Sequence, residues 1–317
     1  MNLKVLSMRE MLEKSRKEVR KKPPYTGEQF FVPRDSKKSV EVFLYQPKAS
    51  VFEQLPVIIN LHGGAWVGGD ATLLDTQSQA MADRLSAFVI NVNYTKLDVE
   101  PFPYAQEETK DTVLYFAEHA KEYNLDVTRF SLIGYSAGGH LCLGASFLLR
   151  DCGFKLNSQV PCYPFLDFST VNLVADAKKL SDDPAEQEQL KEANDLMTEL
   201  FFCGGKIDKT QPMLSPGHAT LEELQGLAPI ELVICGKDLF YESSVVFYEK
   251  LKEAEIPCSF KSYDESIHGF LEVNYPETPE NGAKSPKQEE IMHECEAYIK
   301  ERLYYRWGFD CDIAFNY

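Results

Sequence analysis

The sequence predicts an α/β fold: a mainly parallel central sheet with helices on both faces and a small inserted helical segment. Two observations predict it. From residue 55 onward, short β-branched apolar runs alternate with longer stretches of helical spacing, the order that builds a parallel sheet covered by helices. In addition, 317 residues of which 44% are apolar can build one large core. We therefore expect a single domain over residues 1–317.

The elements follow in chain order. Residues 3–21 place Leu3, Leu6, Met8, Met11, Leu12 and Val19 at helical spacing, and Pro23-Pro24 ends that helix. Ser39 to Tyr45 alternates as a strand. Leu55 to Leu61 is a short apolar run and reads as a buried strand. Residues 72–85 are helical in pattern, Ala87 to Asn93 is the next β-branched run, and Tyr104 to Tyr123 is helical again. Arg129 to Ile133 is a strand, Ala137 to Leu149 a helix of small apolar residues, and Gln159 to Tyr163 a further strand.

Residues 168–225 break the rhythm with a charged helix (184–202), a Gly204-Gly205 stop and a loop holding Pro212 and Pro216. They read as an insertion between core strands, and together with the N-terminal helix (1–24) they are candidates for a lid. Pro229 to Cys235 resumes the core. A helix at 242–254, a strand at 257–263 and a closing helix at 286–304 complete it. In such sheets a site lies at the carboxyl ends of the strands, where strand order switches.

Composition excludes several function classes. The formal net charge is −16, from 33 basic and 49 acidic side chains, which repels phosphate backbones and anionic membranes. No nucleic acid and no membrane partner is expected. No stretch approaches 18 consecutive apolar residues, so no transmembrane helix is predicted. The eight cysteines (142, 152, 162, 203, 235, 258, 295 and 311) are scattered without a C-x-x-C pair. That pattern suits buried free thiols in a reducing compartment. With no apolar leader at the N-terminus, the expected location is cytoplasmic. No metal or organic cofactor is called for. The aromatic tail, Trp307 to Tyr317, could pack on the body or on a second subunit of a homo-oligomer.

Four segments carry candidate chemistry. Gly134-Tyr135-Ser136-Ala137-Gly138-Gly139 follows a strand and opens a helix. A serine on so sharp a turn has an exposed hydroxyl, and its neighbours two positions away must lack side chains. Ser136 is the candidate nucleophile. His62-Gly63-Gly64-Ala65-Trp66 follows the strand ending at Leu61. Glycines there let the chain turn N–H groups toward a developing oxyanion, so Gly63 and Gly64, with Ala137, are the expected donors and His62 a brace.

Of six histidines, His268 stands in a loop after the last core strand, the place of a general base. His119 and His293 look exposed, His140 lies on the helix after the serine, and His218 falls in the insertion. Asp238, just past the run 230–234, is the candidate acid that would orient His268, with Glu242 and Asp264 as fallbacks. Trp66, Tyr135, Tyr163 and Phe240 are the candidate substrate-binding residues, joined by Phe270.

Together these segments resemble the hormone-sensitive-lipase-like esterase branch of the α/β-hydrolases. The similarity runs from about residue 55 to residue 300. It includes Asn91-Val92-Asn93-Tyr94 followed by Pro101-Phe102-Pro103, and His268-Gly269-Phe270. The chain is also similar to smaller acetyl-esterase and xylan-deacetylase-like hydrolases, and its H-G-G-x-W segment to kynurenine formamidases. Three departures stand out: Ala65 where the family has glycine, Tyr135 where it often has aspartate, and one residue, Lys237, between Gly236 and Asp238 where it has two.

The resemblance implies an α/β-hydrolase fold and a serine carboxylesterase that forms an acyl-enzyme on Ser136. With no long apolar lid stretch, short acyl esters, acetyl above all, are the expected small-molecule substrates. An amide or formamide hydrolase on the same fold is the alternative, and a non-catalytic ligand-binding relative a remote third.

Overall fold

The computed structural model describes residues 3–168, 183–185, 187–188, 206–272, 275 and 284–309. Among them, eight strands form one sheet in the order β1-β2-β4-β3-β5-β6-β7-β8. The strands are β1 (Glu28–Arg34), β2 (Lys37–Tyr45), β3 (Leu55–Leu61), β4 (Phe88–Val92), β5 (Leu125–Tyr135), β6 (Ser158–Cys162), β7 (Ile230–Lys237) and β8 (Cys258–Ile267). The six strands from β3 to β8 run parallel, whereas β2 pairs antiparallel with both β1 and β4. The sheet is therefore mainly parallel, as expected.

Strand β1 is the one strand among the described residues that the sequence reading lacked. Its segment, EQFFVPR, carries proline and mixed exposure. It sits at the sheet edge, where a missing ladder N–H is tolerated. Neither pattern nor composition marks such a strand from the chain alone.

The two faces are covered by different helices. In β3 and β4 the alternation sends Val57, Ile59, Leu61, Phe88, Ile90 and Val92 to one core, and Ile58 and Val89 to the other. The first core takes Val113 and Phe116 from a helix at Tyr104–Glu118, and Leu141, Cys142 and Ala145 from a helix at Ala137–Asp151. The second takes Met81, Ala82 and Leu85 from Asp75–Leu85, and Ile291, Cys295, Ile299 and Leu303 from Pro286–Arg306. Strands buried on both faces are near-continuous apolar runs for this reason.

The N-terminal helix, Leu3–Val19, is anchored by charge. Arg16 makes a two-pronged ion pair with Asp98 at 2.8 Å on each prong, and donates to Val67 O at 2.7 Å. Just beyond the helix end, Arg20 bridges Glu41 and Asp70, and Lys21 meets Asp75. The helix thus docks on the loops that follow β3 and β4.

Most of the expected insertion, including all of the charged helix at 184–202 but residues 184–185 and 187–188, and the Gly204-Gly205 stop, lies outside the described residues, as do Cys203 and residues 310–317 with Cys311. The start of the tail packs on the body: Trp307 is buried and its Nε1 donates to Ser131 Oγ at 3.2 Å.

Candidate functional site

Strand order switches at β3 and β5. The chain leaves β3 for β4 on one side, and β5 pairs with β3 on the other, Leu61 opposite Gly134. The loops after these two strands therefore emerge side by side at the carboxyl edge. His62 to Trp66 leaves β3 there, and the Ser136 turn leaves β5. Loops after β7 and β8 bring Asp238 and His268 to the same edge.

Ser136 occupies a strained backbone, with φ 51° and ψ −113°. The turn closes only because its flanks are glycines. A Cβ on Gly134 would lie 2.2 Å from Gly138 O, and one on Gly138 would lie 2.0 Å from Leu61 O. The glycine requirement read from the sequence thus has a steric cause.

His268 Nε2 lies 2.8 Å from Ser136 Oγ, and its Nδ1 lies 2.6 Å from Asp238 Oδ2. The other carboxylate oxygen, Oδ1, accepts from Phe240 N–H at 3.1 Å. The Asp238 side chain is 3% exposed and that of His268 38%. The acid is thus enclosed, and the imidazole stands at the surface of the site. The fallbacks are elsewhere: Asp264 lies within β8, and Glu242 opens the helix Tyr241–Glu253.

The loop after β3 departs from expectation at one donor. Gly63 N–H is already engaged, donating to Glu272 Oε1 at 2.8 Å. Gly63 is therefore not a free oxyanion donor. Gly64 at φ 124° and Ala65 at φ 50° both take positive φ, so the chain turns sharply after Gly63. Among the described residues, the N–H groups of Gly64, Ala65 and Ala137 have no acceptor. Ala137 begins its helix, whose terminal amides and dipole favour negative charge.

His62 does brace this loop. Its Nδ1 lies 2.5 Å from Gly63 O, and its Nε2 lies 2.9 Å from Lys96 Nζ. Burial and the adjacent Lys96 hold His62 well below the usual imidazole range, so the ring is neutral. It carries its proton on Nδ1 and accepts from Lys96. Tyr94 stacks on the ring at 4.3 Å, and its hydroxyl donates to His62 O. Burial lowers the Lys96 amine to about 7.

The expected substrate-binding aromatics divide. Tyr135 and Tyr163 are 2% and 0% exposed and belong to the core, as does Phe270, rather than to an open surface. Tyr163 instead backs the His268 ring at 5.1 Å between centroids. Trp66 is also buried, packed on Phe165 and Phe168, with Nε1 donating to His140 Nδ1. Only Phe240 is half-buried, edge-on to His268 at 5.3 Å.

Among the described residues, no ring of the remaining histidines bonds to Ser136 Oγ, although His140 N–H donates to Ser136 O at 3.0 Å. His140 is buried, and His218 pairs with Asp167 at 3.0 Å. His119 is half-buried against Tyr115 O rather than exposed, and His293 sits beside Glu296.

Glu272 is the residue sequence reasoning missed. It follows His268 by one turn, and its N–H donates to Gly269 O. Its carboxyl group, enclosed by the surrounding loops, is pushed up to about 7 despite the Gly63 N–H and the nearby His268. Nothing local distinguishes it from any other glutamate.

A family described as alpha/beta hydrolase fold matches residues 58–272. In sequence the chain is similar to an esterase from Gibberella moniliformis, 28% identical over 73% of this chain and 72% of that one. It is likewise similar to an arylesterase from Saccharolobus solfataricus, 25% identical over 68% of each chain. An acetyl esterase from Salmonella schwarzengrund is 25% identical over 72% of this chain and 68% of its own. A fungal esterase structure from Rhizomucor miehei superposes with a TM-score of 0.75 at 24% identity, covering 95% of this chain and 91% of that chain. The esterase of the archaeon Pyrobaculum calidifontis gives 0.72 at 22% identity, covering 94% and 93%.

Proposed function

The chain belongs to the alpha/beta hydrolase fold family, and from that membership we propose that it is a serine carboxylesterase acting on short-chain acyl esters, acetyl esters first. The observation that carries the proposal is the unbroken run of hydrogen bonds from Asp238 through His268 to Ser136.

In this reading His268 Nε2 takes the proton of the Ser136 hydroxyl, and Oγ attacks the ester carbonyl. Asp238 holds the ring in the tautomer that leaves Nε2 free to accept, and stabilises the imidazolium. The oxyanion forms against Ala137 N–H and the N–H groups of Gly64 and Ala65. His268 then passes its proton to the leaving alcohol, and water releases the acid by the same route in reverse.

The relatives named esterase, arylesterase and acetyl esterase support an ester rather than an amide substrate. Six free cysteines among the described residues support the cytoplasm as the proposed location. No helix among those residues is long and apolar enough to cross a membrane.

The test is hydrolysis of p-nitrophenyl acetate, butyrate and octanoate by the wild type beside Ser136→Ala. Acetate-preferring turnover that disappears in the variant is expected. Turnover that survives in a folded Ser136→Ala protein would remove the serine from the mechanism, and a preference for octanoate would overturn the short-chain assignment.

A further inference from the structure

Glu272 joins two loops that the proposed chemistry needs in register. One is the turn at 268–272, which carries His268. The other is the loop at 62–66, which carries the Gly64 and Ala65 N–H groups proposed above as oxyanion donors. They meet where Gly63 N–H donates to Glu272 Oε1 at 2.8 Å. The fit is close: a Cβ on Gly63 would lie 2.9 Å from both carboxylate oxygens. The absence of a side chain at Gly63 is thus what lets the carboxylate lie flat against the loop.

The same peptide segment is held from its other side. Gly63 O accepts from His62 Nδ1, and His62 Nε2 accepts from Lys96. The turn bearing Glu272 is itself anchored, since Gln77 Nε2 donates to Leu271 O at 2.8 Å within the core. Gly63 is therefore pinned at its N–H by Glu272 and at its carbonyl by His62. The next two residues have left-handed or extended positive φ, so their direction depends on where Gly63 is fixed.

We propose that Glu272 is a positioning residue for acyl transfer, fixing the 62–66 loop to the His268 turn through Gly63 N–H so that the Gly64 and Ala65 N–H groups stay aimed at the oxyanion. The proposal rests on the esterase reading above. Oxyanion donors act on the transition state rather than on the bound ester. Loss of the tie therefore lowers kcat and leaves KM nearly unchanged.

The experiment compares wild type, Glu272→Gln, Glu272→Leu and Gly63→Ala. Three readouts are taken: kcat and KM on p-nitrophenyl acetate, inhibition by a short alkyl trifluoromethyl ketone, whose serine adduct carries the oxyanion, and Ser136 labelling by a fluorophosphonate. Glutamine keeps a carbonyl acceptor for Gly63 N–H and is expected to retain kcat within roughly threefold. Leucine removes the acceptor and is expected to lower kcat by about 10- to 100-fold, short of the loss of a whole donor. The ketone's inhibition constant rises by a matching factor, and KM changes less than about threefold.

Gly63→Ala pushes the two loops apart sterically and gives the same signature. It carries the test if Glu272→Leu does not fold. Wild-type kcat in folded Glu272→Leu, or in folded Gly63→Ala, overturns the proposal. So does a loss spread equally over kcat and KM with unchanged ketone inhibition. A wild type that neither turns over esters nor labels overturns the esterase reading and this inference with it, whereas an active wild type with indifferent variants overturns this inference alone.

Discussion

Trp66 and His140 are joined by a buried hydrogen bond, indole Nε1 to imidazole Nδ1, 3.0 Å long. The indole can only donate, so Nδ1 must accept, and the proton sits on Nε2, which donates to Leu214 O at 2.8 Å. Neutral His140 thus ties the loop after β3 to the helix that follows Ser136. Burial holds its pKa at about 4.

His140 makes the fold sensitive to acid. The depressed pKa means that the unfolded chain binds a proton between about 6.5 and about 4 while the folded chain does not. The stability from keeping this ring neutral is present above pH 6.5 and lost as pH falls toward 4, a loss on the order of 3 kcal/mol. His140→Phe removes both hydrogen bonds and is expected to cost about 2–3 kcal/mol at pH 7. The wild-type advantage then shrinks at pH 4.5. Urea unfolding at the two pH values reads this; a constant difference would contradict it.

Ser136 stores backbone strain at positive φ. Glycine adopts that region without penalty. Ser136→Gly is expected to abolish ester hydrolysis and yet raise stability by about 1 kcal/mol over Ser136→Ala, which keeps the strained Cβ. A calorimetric Tm for glycine at or below that for alanine would show that the turn is unstrained.

Asp238 Oδ2 faces His268 Nδ1 from an enclosed position. Asparagine keeps the shape but can offer its NH₂ to Nδ1, favouring the wrong tautomer. Asp238→Asn is expected to lower kcat by about 10⁴-fold, with near-UV circular dichroism unchanged. A loss of less than about tenfold would remove Asp238 from the orienting role.

Glu272 predicts a stability change of opposite sign to that of His140. Its folded pKa of about 7 lies above the ordinary 4.5. The folded state therefore holds the proton across that window while the unfolded chain releases it. Stability from this group is full below pH 4.5 and is lost as pH rises through about 7, by about 1–3 kcal/mol. Glu272→Gln does not titrate, so its stability relative to wild type is expected to improve from pH 5 to pH 8. Chemical denaturation across that range checks it, and a flat difference would refute it.

Arg16 holds the N-terminal helix through Asp98, whose side chain is 2% exposed. Arg16→Ala leaves that carboxylate buried and unpaired, at a cost of about 3 kcal/mol. Arg16→Met with Asp98→Leu removes both charges and is expected to recover most of it. If the double variant is as unstable as the single, the ion pair is not what anchors the helix.

Much of this molecule was legible in the chain. The alternation of β-branched runs with helical spacing marked β2 to β8 and the principal helices around them, because strands buried on both faces must be apolar throughout. Ser136 between Gly134 and Gly138 was legible because the turn excludes side chains at those two positions, as the Cβ contacts make plain. Asp238 and His268 were marked by their place just after core strands, since parallel connections return every such loop to one edge.

Other features depended on distance in space. Edge strand β1 carried no periodic signal. Tyr135 and Tyr163 look like pocket residues in the sequence, but at 2% and 0% exposure they fill the core, because the sheet decides which way a strand's last side chain points. The Gly63 N–H looks available in the sequence, and its acceptor, Glu272, lies 209 residues away. A residue's type is local, and its hydrogen-bond partner is not. The chain's own pattern therefore determined the elements and the candidate reactive groups. Only the folded sheet decided that Gly63 N–H is taken by Glu272 and that His268 reaches both Ser136 and Asp238, because strands far apart in sequence bring those loops to one edge.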